Sequence, residues 1–320
     1  EIMPSLVGSE MCIRDRVMEI NVNEMIEING VEQFIAVRAK HAGNPLLLYV
    51  HGGPGDAALP LVLKYNGVLA EHYTLVVWEQ RGAGKSYYPF TEAVTIDTFV
   101  EDLQLLIEYL LKRYQQKKLT LVGHSWGSVL GMKIALMVPH LLQCYVGCGQ
   151  VIDMAEGSKR AWKYAMQAAD PKTRKQLTAV DPSYQGTNWF NDLMLVTKTV
   201  VKYKGSYYGH QSYNPMIKDF IFSNSYRLKD LINRQKGSLQ SIQALWPELM
   251  SVSFKDIHEL QVKIVLIEGK HDHHVDSGLA VDFYNQLTSL KQLYLFEKSC
   301  HFPQWSDAEQ FNQIMISLLS

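Results

Sequence analysis

From residue 17 onward, short apolar runs alternate with longer amphipathic stretches, and this alternation restricts the fold more than any other feature of the chain. LLLYV after Pro45, then YTLVVWEQ, LTLVGHS, CYVGCGQ, VKIVLIEG and KQLYLFEKS read as strands, most of them apolar enough to be buried on both faces. Residues 95 to 116 place Phe99, Leu103, Leu106, Ile107, Leu110, Leu111 and Tyr114 at three- and four-residue spacing, which predicts an amphipathic helix. Further helices are predicted from about Trp126 to Met137, stopped by Pro139, and near 277–288 and 308–319. NEMIEING and EQFIAVRA read as a hairpin around Asn29-Gly30. Strands alternating with helices predict an α/β fold, with a mainly parallel sheet covered by helices on both faces.

Composition narrows the class. The 320 residues, 47% hydrophobic and 20% charged, suit one large α/β domain or two smaller ones. With 31 Lys+Arg against 32 Asp+Glu, the formal net charge of −1 disfavours nucleic-acid binding by bulk charge. No apolar run reaches the roughly 18 residues of a spanning helix, and no basic segment leads into an apolar one, so neither membrane nor export is expected. Of the four cysteines, Cys12 lies in the aperiodic first sixteen residues, and the remaining Cys144, Cys148 and Cys300 are odd in number and lack CxxC spacing. Cys144 and Cys148, four apart on one strand, are separated by roughly 13 Å, beyond the ~7 Å reach of a disulfide. A reducing, cytoplasmic location follows as the expectation. Residues 1–16, EIMPSLVGSEMCIRDR, lack periodicity and resemble a translated sequencing-adapter scar rather than native structure.

The stretch 151–258 differs from its surroundings. It carries fourteen aromatic residues and 15 basic against 9 acidic ones, a net charge of +6, and reads as a helical cap inserted in the core. The flanking segments 17–150 and 259–320, read as the core, then carry −6.

Gly123-His124-Ser125-Trp126-Gly127 lies just after the strand LTLV and just before a helix, the setting a nucleophile elbow demands. Flanking glycines avoid clashes in the tight turn, and the helix N-terminus supplies free N–H groups. A serine hydroxyl needs an adjacent base, itself oriented by an acid. Asp272 follows the strand VKIVLIEG and His301 follows KQLYLFEKS, so both sit on loops at the carboxyl edge of the sheet, where α/β folds place ligands. His124 lies inside the elbow, and His271, His273 and His274 crowd the acid, so they fit the base less well. The run His271–His274 also offers four metal-ligand types, but consecutive residues on one loop rarely converge on one ion, and a polar loop presenting Asp272 is the preferred reading. His51-Gly52-Gly53-Pro54-Gly55 after LLLYV lets backbone N–H groups approach a substrate oxygen. The N–H groups of Gly53 and Trp126 would together form an oxyanion hole.

HGGPG at 51–55, WEQRGAGKS at 78–86, GHSWGS at 123–128, GKHD at 269–272 and the closing SCHFPQWSD together resemble the α/β-hydrolase superfamily, nearest its proline-iminopeptidase-like branch. The resemblance implies Ser125 as nucleophile, Asp272 as acid, His301 as base, and Gly53 with Trp126 as oxyanion donors, with no metal or organic cofactor. Gln80, Arg81 and Gly82 match the family's block near the site's rim, where either a brace for the oxyanion loop or a purely structural loop role is implied. Two positions depart from the pattern. Glu79 stands where the family usually has Asp, and the cap Trp-Glu element that binds a substrate's amino terminus has only Trp246-Pro247-Glu248 as its nearest match.

The implied reaction is acyl transfer on a small-molecule or short-peptide substrate. Hydrolysis of short peptides or amino-acid amides is the first reading, and a carboxylesterase or lactonase-like activity is the alternative favoured by the missing amine-binding element. A non-catalytic binding protein on the same fold is the third reading. Oligomeric state has no signal in the sequence.

Overall fold

The structure is a computed structural model that describes residues 19–319; the reading of residues 1–16 lies outside them. Eight strands form one sheet: β1 (Ile20–Ile28), β2 (Val31–Ala39), β3 (Leu46–Val50), β4 (Thr74–Glu79), β5 (Leu119–His124), β6 (Leu142–Cys148), β7 (Ile264–Gly269) and β8 (Lys291–Phe296). Their spatial order is β1-β2-β4-β3-β5-β6-β7-β8. β1 and β2 make the expected antiparallel hairpin, with Asn29 and Gly30 both at positive φ, 49° and 77°, as a two-residue primed turn requires. β2 runs antiparallel to β4, and all later neighbours are parallel.

The helices are α1 (Leu59–Asn66), α2 (Ile96–Arg113), α3 (Trp126–Met137), α4 (Met154–Ala168), α5 (Pro171–Leu177), α6 (Trp189–Lys202), α7 (Asn214–Ile221), α8 (Leu228–Leu249), α9 (Ser277–Gln286), α10 (Pro303–Ser306) and α11 (Ala308–Ser317). Alternation along the central strands divides the core between the two faces of the sheet. On β3, Leu46, Leu48 and Val50 join the predicted stripe of α2, from Phe99 to Leu111, together with α3 and α9. Leu47 and Tyr49 point the other way, onto α1 and α11. α2 starts where Thr95 and Thr98 cap each other's backbone N–H groups.

One strand differs from its sequence reading. KQLYLFEKS looks as apolar as β7, yet β8 is the last strand of the sheet and only half-buried over most of its length. An apolar run reports strand formation but not whether a neighbour covers its second side.

Between β6 and β7 the chain forms α4 to α8. Ala165, Leu177, Tyr184, Leu193, Val196 and Val200 make a third apolar cluster there, with Trp162, Trp189 and Trp246 packed against it. An isolated antiparallel bridge, Asp153 to Ser253, ties the entry of this segment to its exit. α8 also reaches the main core through Leu245 and Leu249. Among the described residues no helix is long and apolar enough to cross a membrane.

Candidate active site

Ser125 sits at the sharp turn between β5 and α3 with φ 53° and ψ −121°, a backbone conformation that L-residues rarely adopt. Local sterics explain why glycine stands two residues away on each side. A Cβ on Gly123 would lie 2.5 Å from the Gly127 carbonyl oxygen, and one on Gly127 would lie 2.3 Å from that of Val50. Hydrogen bonds hold the turn. Ser125 N–H donates to the Cys148 carbonyl at 3.0 Å, while the N–H and Oγ–H of Ser128 both donate to the Ser125 carbonyl, at 2.8 and 2.6 Å.

The glycine loop after β3 lies against this turn: a Cβ on Gly52 would be 3.1 Å from Ser125 Cβ. Gln80 fixes the loop's position, a role for which sequence left two possibilities. Its Nε2 donates to the His51 carbonyl at 2.9 Å, its backbone N–H donates to His51 Nε2 at 3.1 Å, and its Oε1 accepts from the Trp126 indole at 2.8 Å. One side chain thus joins both segments expected to supply oxyanion donors. Trp126 opens α3, so its backbone N–H has no intrahelical acceptor. Arg81, in the same block, turns away and makes a two-pronged buried pair with Asp102 of α2, at 2.5 Å on each arm. Glu79, where the family has Asp, accepts from Lys85 N–H at 2.6 Å and from the Tyr226 hydroxyl of the helical segment; burial raises its carboxyl to about 7.

The loops after β7 and β8 bring Asp272 to His301. His301 Nδ1–H donates to Asp272 Oδ2 at 2.8 Å, and Asp272 Oδ1 accepts the N–H groups of His274 and Val275 at 2.8 and 3.0 Å. This partner assigns the Nδ1 proton and leaves Nε2 as the free acceptor. The His301 backbone is held twice, its N–H donating to Ser206 of the helical segment and its carbonyl accepting from His124 Nε2. All three side chains are buried. Burial pushes the His301 imidazole down and the Asp272 carboxyl up, and the two N–H groups on Oδ1 oppose the second shift.

The other three residues of the His271–His274 run diverge. His271 packs on Tyr208, His273 stacks on Tyr164 with ring centres 3.9 Å apart, and His274 turns inward to 4.7 Å from the His301 ring. Among the described residues no group of three or more His, Cys, Asp or Glu is arranged to hold a metal ion. His274 was passed over in the sequence as crowding the acid, yet it lines the site. Nothing in the spacing distinguishes it from His273, because only the loop's path decides which ring points inward.

Two cavities meet at Ser125. The first, about 160 Å³, is bounded by Gly53, Ser125 and Trp126 and by apolar residues of the helical segment, among them Met154, Leu193, Val196 and Trp246. The second, about 250 Å³, contains His301, His51, Asp56, Tyr213, Arg234 and Trp305. Gly53, Ser125, Thr197 and His274 line both. Glu248 lines neither. Its Oε2 accepts the Ile96 N–H at 2.9 Å, at the start of α2, so the Trp246-Pro247-Glu248 element presents its indole but not its carboxylate to the substrate space.

Comparisons with known proteins agree with this geometry at the level of fold. A family model described as alpha/beta hydrolase fold matches residues 45–308. The chain is 28% identical to the probable aminopeptidase YbaC of Bacillus subtilis over 298 residues, 91% of each chain. It is 22% identical to the 2-hydroxy-6-oxo-2,4-heptadienoate hydrolase of Pseudomonas putida, over 93% of this chain and 96% of that one. Its structure resembles the proline iminopeptidase of Mycobacterium smegmatis with a TM-score of 0.64 at 17% identity, covering 93% of this chain and 98% of the other. The chain therefore belongs to the α/β-hydrolase fold family and is a hydrolase of that family.

Proposed function

We propose that the protein is a serine hydrolase of short peptides or amino-acid amides, in which residues 151–258 act as a cap over a core formed by 17–150 and 259–320. The observation that carries this reading is that Ser125, on its strained turn, and His301, hydrogen-bonded to Asp272, face one cavity. In the proposed reaction His301 Nε2 takes the Ser125 Oγ proton as Oγ attacks the carbonyl carbon. The N–H groups of Gly53 and Trp126 stabilise the oxyanion, a contribution of about 3 kcal/mol per donor in such sites. As the C–N bond breaks, His301 passes the proton to the leaving nitrogen, and water then releases the acid by the reverse sequence. The similarity to an aminopeptidase along 91% of the chain supports amide substrates. Free, buried Cys144, Cys148 and Cys300 are consistent with a reducing, cytoplasmic setting.

A second reading, hydrolysis of small carboxylic esters or lactones, is favoured by the engagement of Glu248 with α2, which removes the nearest match to the family's amine-binding element. Aminoacyl arylamides, their N-blocked forms and short-chain aryl esters, assayed side by side, separate the two. The peptidase reading expects arylamide turnover that requires a free α-amine. Equal rates with and without the block, or turnover of esters alone, would replace it with the second.

A further inference from the structure

The two cavities at Ser125 have different tasks if the reaction runs as proposed above, and this inference rests on that reading. The general acid must reach the leaving atom, and His301 lines only the second cavity, so the leaving group departs there. The first cavity, which His301 does not line, is then left for the acyl side chain. At about 160 Å³ that space is close to a roughly 150 Å³ engineered cavity that accepts benzene, so a ring or a branched alkyl group fits.

The second cavity contains the one arginine or lysine on either lining, Arg234 of α8. Its Nε and Nη2 face the two oxygens of Asp56, with Nη2 to Oδ2 at 3.0 Å. Asp56 Oδ1 also accepts the Ala57 N–H at 2.8 Å. The guanidinium lies over the Phe220 ring, 4.0 Å from its centre, which fixes its plane. A guanidinium has five N–H donors. Those on Nη1 make no hydrogen bond to the described residues, Nε is buried without one, and the side chain as a whole is part-exposed. The pair thus keeps unused N–H donors on the side of Arg234, and these can take up an acceptor oxygen of a substrate carboxylate. Asp153 and Asp276 line the first cavity and are paired with Lys255 and Arg160, and no arginine or lysine is among the residues that line it, so that cavity offers an anion no cation.

We propose that Arg234 is a specificity-determining residue that holds a carboxylate on the leaving group, so that the preferred substrates are very short peptides whose free C-terminal carboxylate lies just beyond the scissile bond. An apolar residue would occupy the first cavity as the acyl part, and an amino acid would leave from the second. Leucyl-alanine and leucyl-alaninamide differ only in the charge that Arg234 would read. The wild-type protein is expected to favour the free acid by about tenfold or more in kcat/KM, chiefly through KM, as a charge-assisted hydrogen bond implies. Arg234→Gln should bring the ratio of the two substrates close to one, and Arg234→Lys should restore part of it. Equal use of both peptides by the wild type would overturn the inference and leave the amide-hydrolase reading intact. So would a loss in Arg234→Gln that is the same for both peptides, which marks a merely structural arginine. Absence of turnover of either peptide, together with inert leucyl arylamides, would overturn both.

Discussion

The loops at the carboxyl edge of the sheet and the helices between β6 and β7 hold their side chains by different means. At the sheet edge, position is set by backbone. Ser125 is fixed by carbonyl contacts that only Gly123 and Gly127 permit, and Asp272 by two main-chain N–H groups. In the helical segment, position is set by packing, as where Trp189 stacks on Trp246 with ring centres 6.3 Å apart and Tyr184 meets Trp246 edge-on. Backbone-built geometry tolerates little change, whereas a packed side-chain wall can be recut. Reaction chemistry should therefore be brittle at the edge and substrate choice adjustable in the helices.

Substitutions ranked by expected effect probe that contrast. Asp272→Asn keeps the shape of the side chain but removes the charge that orients His301, and kcat is expected to fall by about 10⁴-fold with KM little changed. Gln80→Ala unpins the His51 loop from Trp126 without touching the reacting groups. A drop in kcat of about ten- to a hundredfold is expected, with thermal unfolding monitored in parallel. Val196→Ala enlarges the first cavity, and the ratio of kcat/KM for bulky over small acyl groups should rise about five- to tenfold while the best kcat is maintained. If Val196→Ala lowered kcat as much as Asp272→Asn, the contrast between the two regions would fail.

The smallest expected effect concerns pH. The proposed base, His301, works only while neutral, and burial lowers its affinity for a proton, so its neutral form persists to lower pH. The nearby rings of His124 and His274 are shifted the same way by burial, to about 3 and about 4, and add no positive charge in this range. Going from pH 7.5 to 6.0 should lower kcat/KM for a non-ionising substrate several-fold, as the Asp272 carboxyl, raised to about 7 by burial, takes up a proton while His301 stays neutral.

Much of the frame was legible in the sequence because its signals are local. The hairpin at Asn29-Gly30, the buried stripe of α2 and the strand–turn–helix setting of Ser125 each depend on residues within a few positions of one another. The placement of Asp272 and His301 after β7 and β8 followed from strand order. What escaped the sequence depends on neighbours distant in the chain. β8 is an edge strand because no described strand pairs with its far side, Glu248 is engaged because α2 begins beside it, and His274 rather than His273 lines the site because of how its loop turns. The link from Gln80 to both His51 and Trp126 spans three segments that no spacing rule connects.

The central claim is that Ser125 is the nucleophile. Incubation with a fluorophosphonate followed by peptide mass mapping tests it most directly, with Ser125→Ala alongside. The account predicts one stoichiometric adduct on Ser125, loss of hydrolysis in step with labelling, and neither adduct nor turnover in the variant. An unlabelled Ser125, or a variant that labels and hydrolyses like the wild type, would contradict it.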